Sequence, residues 1–275
     1  MKTTKKLTAL LLALSMAFVL CACSNADGKP TPTAAPSEAG EPSQAPSEEP
    51  SQGAEPAAFT TVEEGKLHMS TNAAFPPYEM TKDGGGFEGI DVEVADAIAK
   101  KLGLELVVDD MAFNNALLAV QNGESDIAMA AITVKPDRLE VMDFSETYAT
   151  GIQVVIVKEG SPIATIDDLA GAEKIGCQAD TTGYDYCSSD YGEDHVIAYD
   201  TGALAVMDLM AGTIDAVVID VEPAKVFVSQ NEGIKILDEA LTVEEYAIAV
   251  KKGNTELLEK INTALAELKE SGELQ

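Results

Sequence analysis

The chain has 275 residues and 18 cationic side chains, and only one of these, Arg138, is an arginine. Arg carries a rigid planar fork of donors that grips a carboxylate or phosphate with two parallel hydrogen bonds, which the point charge of Lys cannot do. A lone Arg in the run Ala130-Ala131-Ile132-Thr133-Val134-Lys135-Pro136-Asp137-Arg138 is a candidate clamp for an anionic group. The plainer alternative is a surface cation. Asp220 ends the apolar run Ile214 to Ile219, where it could meet a cation or cap the helix that Pro223 announces. Thr181-Thr182-Gly183 opens a further helix, whose first N–H groups lack intrahelical partners and suit an anion. Two histidines, His68 and His195, and two late cysteines, Cys177 and Cys187, show no metal-ligand spacing. Neither Cys has a neighbouring cation in sequence to activate it as a nucleophile. A disulfide between them and a pair of buried thiols fit equally well. No metal and no cofactor is expected.

These residues must be positioned by alternating strands and helices. Strands read at Leu67 to Ser70, Leu104 to Val108, Asp126 to Ala131, Ile152 to Val157, Lys174 to Gln178, Val196 to Tyr199, Ile214 to Ile219, Ile234 to Leu237 and Tyr246 to Val250. Between them lie helices capped by Asp91, Thr165 and Asn254, stopped by Gly103 or Gly123, or opened by Pro136 and Pro223. The alternation means an α/β fold with mainly parallel sheets, in which ligands sit beyond the carboxyl ends of strands. Asn72 to Tyr78, Ala131 to Arg138, Thr181 to Gly183 and Asp220 all fall there.

The first 22 residues stand apart. Lys2, Lys5 and Lys6 precede the short apolar run Leu7 to Leu20, the pattern of a secretory signal too short for a membrane span. Leu20-Cys21-Ala22-Cys23 resembles a bacterial lipobox, with Cys23 as the acylated residue on the membrane's outer face. Two or more acyl chains anchor stably where one does not. Residues 23–60 hold seven of the twelve prolines with Ser, Ala, Gly and Glu, and read as a lipid-anchored disordered acidic linker. A flexible coil of that length reaches roughly 35 Å. Removing the three signal lysines leaves 15 cations against 47 acids, a net charge of −32. Nucleic acid and anionic lipid surfaces are excluded as partners, and the acidity suits a soluble domain outside a Gram-positive-type cell.

From residue 61 onward the chain resembles the extracellular solute-binding lipoproteins of ABC importers for polar amino acids. The segments that carry the likeness are Ser70-Thr71-Asn72-Ala73-Ala74-Phe75-Pro76-Pro77-Tyr78, Gly89-Ile90-Asp91-Val92-Glu93, the Arg138 run and Asp143-Phe144-Ser145. Gly176-Cys177-Gln178-Ala179-Asp180-Thr181-Thr182-Gly183, Asp215 to Asp220 and Glu245 to Val250 complete it. The resemblance implies a two-lobed type II periplasmic-binding-protein fold, each lobe a mainly parallel sheet flanked by helices. Lobe 1 would be 61–152 plus 246–275 and lobe 2 153–245, joined by two crossing hinge strands near Ile152 to Val155 and Glu245 to Ile248. It also implies roles: Arg138 on a ligand α-carboxylate, with N–H groups of Thr181 and Thr182, and Asp220 on the α-ammonium with the Thr133 hydroxyl and the Ala131 carbonyl. Phe75 and Phe113 would sandwich the side chain, and Asn72, Gln178 and Tyr78 would line the cleft. Gly89 and Asp91 match as turn and helix cap. The implied partners are a membrane permease and its ATPase.

Relatives for basic amino acids often carry Asp where this chain has Asn72, so a neutral polar or acidic side chain is expected in the ligand. The chain also stops at Gln275, short of the usual aromatic tail. The competing classes are a dehydratase-like enzyme on the same fold, which would need a general acid such as Glu79 or Glu222, and a ligand-sensing module.

Overall fold

The computed structural model describes residues 59–274. The expected signal, Cys23 and nearly all of the linker lie outside the described residues. The order is β1 (Lys66–Thr71), β2 (Ala74–Phe75), β3 (Glu79–Thr81), β4 (Phe87–Glu88), α1 (Ile90–Leu102), β5 (Glu105–Asp110), α2 (Phe113–Asn122), β6 (Ile127–Ala128) and α3 (Pro136–Val141). Then come β7 (Met142–Lys158), β8 (Ile175–Gln178), α4 (Thr182–Tyr191), β9 (Val196–Tyr199), α5 (Gly202–Ala211), β10 (Ala216–Asp220), α6 (Val221–Gln230), β11 (Ile234–Ile236), β12 (Thr242–Lys251) and α7 (Thr255–Ser271). No described helix is long and apolar enough to cross a membrane.

One curled sheet runs in the order β5-β1-β6-β12-β7-β10-β8-β9, with β11 also on β7. Its flanks are parallel, β5-β1-β6 on one side and β10-β8-β9 on the other. The centre is antiparallel, because β7 and β12 pair along most of their length, from Met142 opposite Lys251 to Gln153 opposite Thr242. β12 then joins one flank through Ala249 and Val250 on β6, and β7 joins the other through Gln153 to Val157 on β10. Both flanks hang on these two strands, which is the two-lobed α/β architecture expected.

Each flank buries its two faces separately. Leu67, Met69, Ile98, Ile261 and Leu265 fill one face of the first, where α1 and α7 lie. Phe113, Leu117, Ile132 and Met142 fill its other face. In the second flank Leu209, Val217, Ile219 and Phe227 form one core, and Val155, Ile175, Cys177, Cys187 and Leu169 the other. Both thiols are free and buried.

Several expected boundaries move for local reasons. The strand expected over Asp126 to Ala131 shrinks to Ile127–Ala128, since Ala131 adopts φ 47 and cannot continue a ladder. The strand expected at Ile152 begins ten residues earlier, at Met142, because polar and small residues there still find partners along β12. α6 starts before Pro223, with Asp220 as its cap. Asp91 is not a cap: Gly89 holds that position at φ 124, and any side chain on it would strike the Tyr78 carbonyl. Thr165 does not cap either, since its N–H and hydroxyl both donate to Asp168, and a short 3₁₀ turn begins at Asp167. Asn254 precedes α7 without a side-chain cap bond.

Candidate functional site

Pro136 sets the first turn of α3, and two residues on Arg138 turns inward to only 5 % exposure. Its guanidinium donates to the Thr133 carbonyl at 3.1 Å and the Asp180 carbonyl at 3.2 Å, and lies 5.4 Å from the centre of the Phe113 ring. None of the ion pairs among the described residues includes it. Burial pulls its pKa down, opposed by Asp137, Asp185 and Glu244, and a guanidinium still stays charged at neutral pH. Facing it, Thr181 caps α4 by accepting from the Tyr184 N–H, so the first N–H groups of that helix open beside the guanidinium.

Asp220 carries the opposite charge. It is 1 % exposed, and its Oδ1 accepts from the Glu222 N–H at 3.0 Å. Oδ2 accepts from the Ile152 N–H and the Tyr246 hydroxyl, both at 2.9 Å. Burial pushes its pKa up, and those three donors pull the other way. Asp220 therefore caps α6 with one oxygen and keeps a buried carboxylate against β7 and β12 with the other.

A cavity of about 30 Å³ is lined by Arg138, Thr133, Ala131, Phe75, Phe113 and Asn72, and by Gln178, Thr181 and Thr182 from the second flank. Asp220 and Tyr78 do not line that cavity. Tyr246 stands between Asp220 and the cavity, and Tyr78 packs beside Phe75 and edge-on to Tyr246. Near Arg138, Lys135 pairs with Asp185 of α4 at 2.6 Å. The two amides are tied together rather than free: Gln178 Nε2 donates to Asn72 Oδ1, and Asn72 Nδ2 to the Met111 carbonyl, each at 2.9 Å.

Glu79, Gln153, Tyr246 and Ala130 also line the cavity, and none was among the expected binding residues. Glu79 is 1 % exposed; neither carboxyl oxygen accepts from a donor among the described residues, and its one side-chain partner is the Asp91 carboxyl. Burial, then the charge of Asp91 and the hydrogen bond Glu79 shares with it, then the charge of Asp110, push its pKa well above the carboxylate range. Asp91 is raised to about 6, chiefly by burial. Its oxygens accept from the Ala131 N–H at 2.9 Å and the Tyr148 hydroxyl at 2.8 Å, which holds Ala131 in its left-handed turn against the cavity. The signals for these residues were single polar side chains in apolar surroundings: Gln153 inside Ile152 to Val157, and Glu79 directly after Phe75-Pro76-Pro77-Tyr78.

Residues 67–275 match the model of the bacterial extracellular solute-binding proteins, family 3. A probable histidine-binding protein of Neisseria gonorrhoeae is 32 % identical over 223 residues, 79 % of this chain and 83 % of the relative. An arginine-binding extracellular protein of Bacillus subtilis is 33 % identical over 219 residues, 76 % of this chain and 83 % of the relative. Among solved structures, an ancestral arginine-binding protein bound to glutamine superposes with a TM-score of 0.73 at 38 % identity, covering 77 % of this chain and 95 % of that one. An amino acid ABC transporter substrate-binding protein from Streptococcus pneumoniae, bound to L-arginine, gives 0.72 at 34 % identity, covering 76 % and 91 %. With its two-flanked sheet and the charged cavity between the flanks, the chain belongs to the bacterial extracellular solute-binding proteins of family 3.

Proposed function

We propose that this protein is the extracellular substrate-binding component of an ABC importer, closing on a polar α-amino acid and handing it to a membrane permease driven by an ATPase. It is a binding protein, not an enzyme. The observation that carries the reading is two buried opposite charges, Arg138 in the wall of the cavity and Asp220 directly behind the wall residue Tyr246, neither ion-paired among the described residues. An isolated buried charge is expensive. An α-amino acid supplies a carboxylate for one and an ammonium for the other. Arg138 with the N–H groups of Thr181 and Thr182 takes the carboxylate. Asp220, with Tyr246, the Thr133 hydroxyl and the Ala131 carbonyl, takes the ammonium. Phe75 and Phe113 flank the side chain, and Asn72, Gln178 and Tyr78 shape the walls. Residues 61–152 with 246–275 form one moving lobe and 153–245 the other, and Cys23 anchors the chain to the membrane by lipid.

The far end of the side chain is set by Glu79 rather than Asn72, whose amide is already engaged. A buried carboxyl whose one partner is another carboxyl, Asp91, accepts a guanidinium, ammonium, imidazolium or amide N–H, and the pair disfavours a further carboxylate. The ligand is thus basic or amide-bearing, in keeping with the relatives named for histidine and arginine. Calorimetry with a panel of arginine, lysine, histidine, glutamine, glutamate and aspartate tests this. Micromolar or tighter binding, about −8 kcal/mol, is expected for a member of the first four. Binding of none of the six defeats the reading.

A further inference from the structure

Behind the cavity wall, on β12, lies Glu244, only 5 % exposed. It does not line the cavity. Its Oε2 accepts three hydrogen bonds: from the Thr133 hydroxyl at 2.7 Å, the Thr182 hydroxyl at 3.0 Å and Gln153 Nε2 at 3.3 Å. Its Oε1 has no partner among the described residues. The three donors come from three parts of the fold. Thr133 lies between β6 and α3 on one flank, Thr182 opens α4 on the other, and Gln153 sits on β7, the second crossing strand.

We propose that Glu244 is a closure clamp, a positioning residue that ties the two cavity walls to the hinge and sets how long a ligand stays without touching it. This rests on the amino-acid-binding reading above. The geometry allows little else. One carboxylate oxygen reaches Thr133 and Thr182 together only while the two walls are close, so a hinge opening that parts them breaks at least one of these bonds. Hydrogen bonds to a buried charge are among the stronger polar contacts, and losing a donor leaves the charge under-satisfied. The clamp also orients the site. A Thr133 hydroxyl that donates to Glu244 turns its lone pairs outward, where they accept from an ammonium. The same charge lies near the Arg138 guanidinium without occupying its fork, so it eases the burial of Arg138 and leaves the fork for a ligand carboxylate.

The test compares wild type, Glu244→Ala, Thr182→Val and the double variant. Valine keeps the Thr182 N–H and removes only the hydroxyl. Ligand affinity and dissociation rate are read by calorimetry and stopped flow, and lobe separation by small-angle X-ray scattering with and without the best amino acid of the panel. Glu244→Ala is expected to weaken binding roughly tenfold, mainly through faster dissociation, and to leave the protein more open. The double variant should be no worse than Glu244→Ala alone, because both changes remove one contact. Strictly additive losses, or an unchanged dissociation rate with unchanged lobe separation, overturn the clamp. A wild type that binds no amino acid overturns the functional reading instead. In that case the clamp is judged by scattering of the ligand-free proteins, and equal dimensions refute it.

Discussion

The Tyr246 hydroxyl donates to Asp220 Oδ2 at 2.9 Å, and the same oxygen accepts from the Ile152 N–H. One carboxylate thereby joins both crossing strands to the end of β10 and the start of α6. Burial and the neighbouring Asp220 charge hold the Tyr246 phenol far above its ordinary pKa, so it is a pure donor here. Asp220→Asn removes the charge and one acceptor: its single amide oxygen can keep the cap on α6 or the bonds from Ile152 and Tyr246, not both. It should cost about 2–3 kcal/mol of amino-acid binding and about 1–2 kcal/mol of stability. Tyr246→Phe should cost about 1 kcal/mol. Calorimetry and thermal melts on the same samples separate the two effects. Equal affinity of Asp220→Asn and wild type would remove Asp220 from the site.

Arg138 is gripped by two backbone carbonyls whose positions suit a planar fork. Arg138→Lys keeps the charge but loses the paired geometry and the contact with Phe113. Binding should weaken by on the order of 2 kcal/mol for every ligand in the panel, because the carboxylate is common to all. A loss confined to one side-chain class would show that Arg138 reads side chains instead.

Glu79 gives a pH signature. Its folded pKa lies above that of the unfolded chain, so the native state binds more protons in between. Its contribution to stability therefore falls as pH rises from the ordinary carboxylate range. Glu79→Gln imitates the protonated form and has no such slope. The variant should melt roughly 2–4 °C higher than wild type near pH 8, with the gap closing towards pH 4. It should also bind arginine less well at neutral pH, the stability–function exchange expected at a binding site. A constant gap across pH would contradict the assignment.

Gly151 lies opposite Glu244 in the β7–β12 ladder, and a Cβ built there would strike the Tyr246 phenol ring. Gly151→Ala should lower stability by about 1–3 kcal/mol through overpacking. It should weaken amino-acid binding as well, since Tyr246 cannot move without disturbing Asp220. Denaturant unfolding and calorimetry measure the two losses, and unchanged binding would show that the ring position does not matter.

Much of this was legible in the chain itself. The α/β alternation, the helices stopped at Gly103 and Gly123, and the strand-end placement of Arg138, Thr181 and Asp220 follow from periodicity, turn residues and polar breaks, which act within a few residues. Local signals could not say that Asp91 turns inward to hold Ala131, because burial of a helix face depends on what packs against it. They could not engage the Asn72 amide with Gln178, 106 residues away, nor show that Glu79 is buried in the same cavity wall. Nor could they gather Thr133, Thr182 and Gln153 on Glu244. The sequence determined which residues carry charge and where the strands end. Only the tertiary structure decided which of those charges are left without a partner in the interior, because desolvation and pairing depend on neighbours brought together from distant parts of the chain.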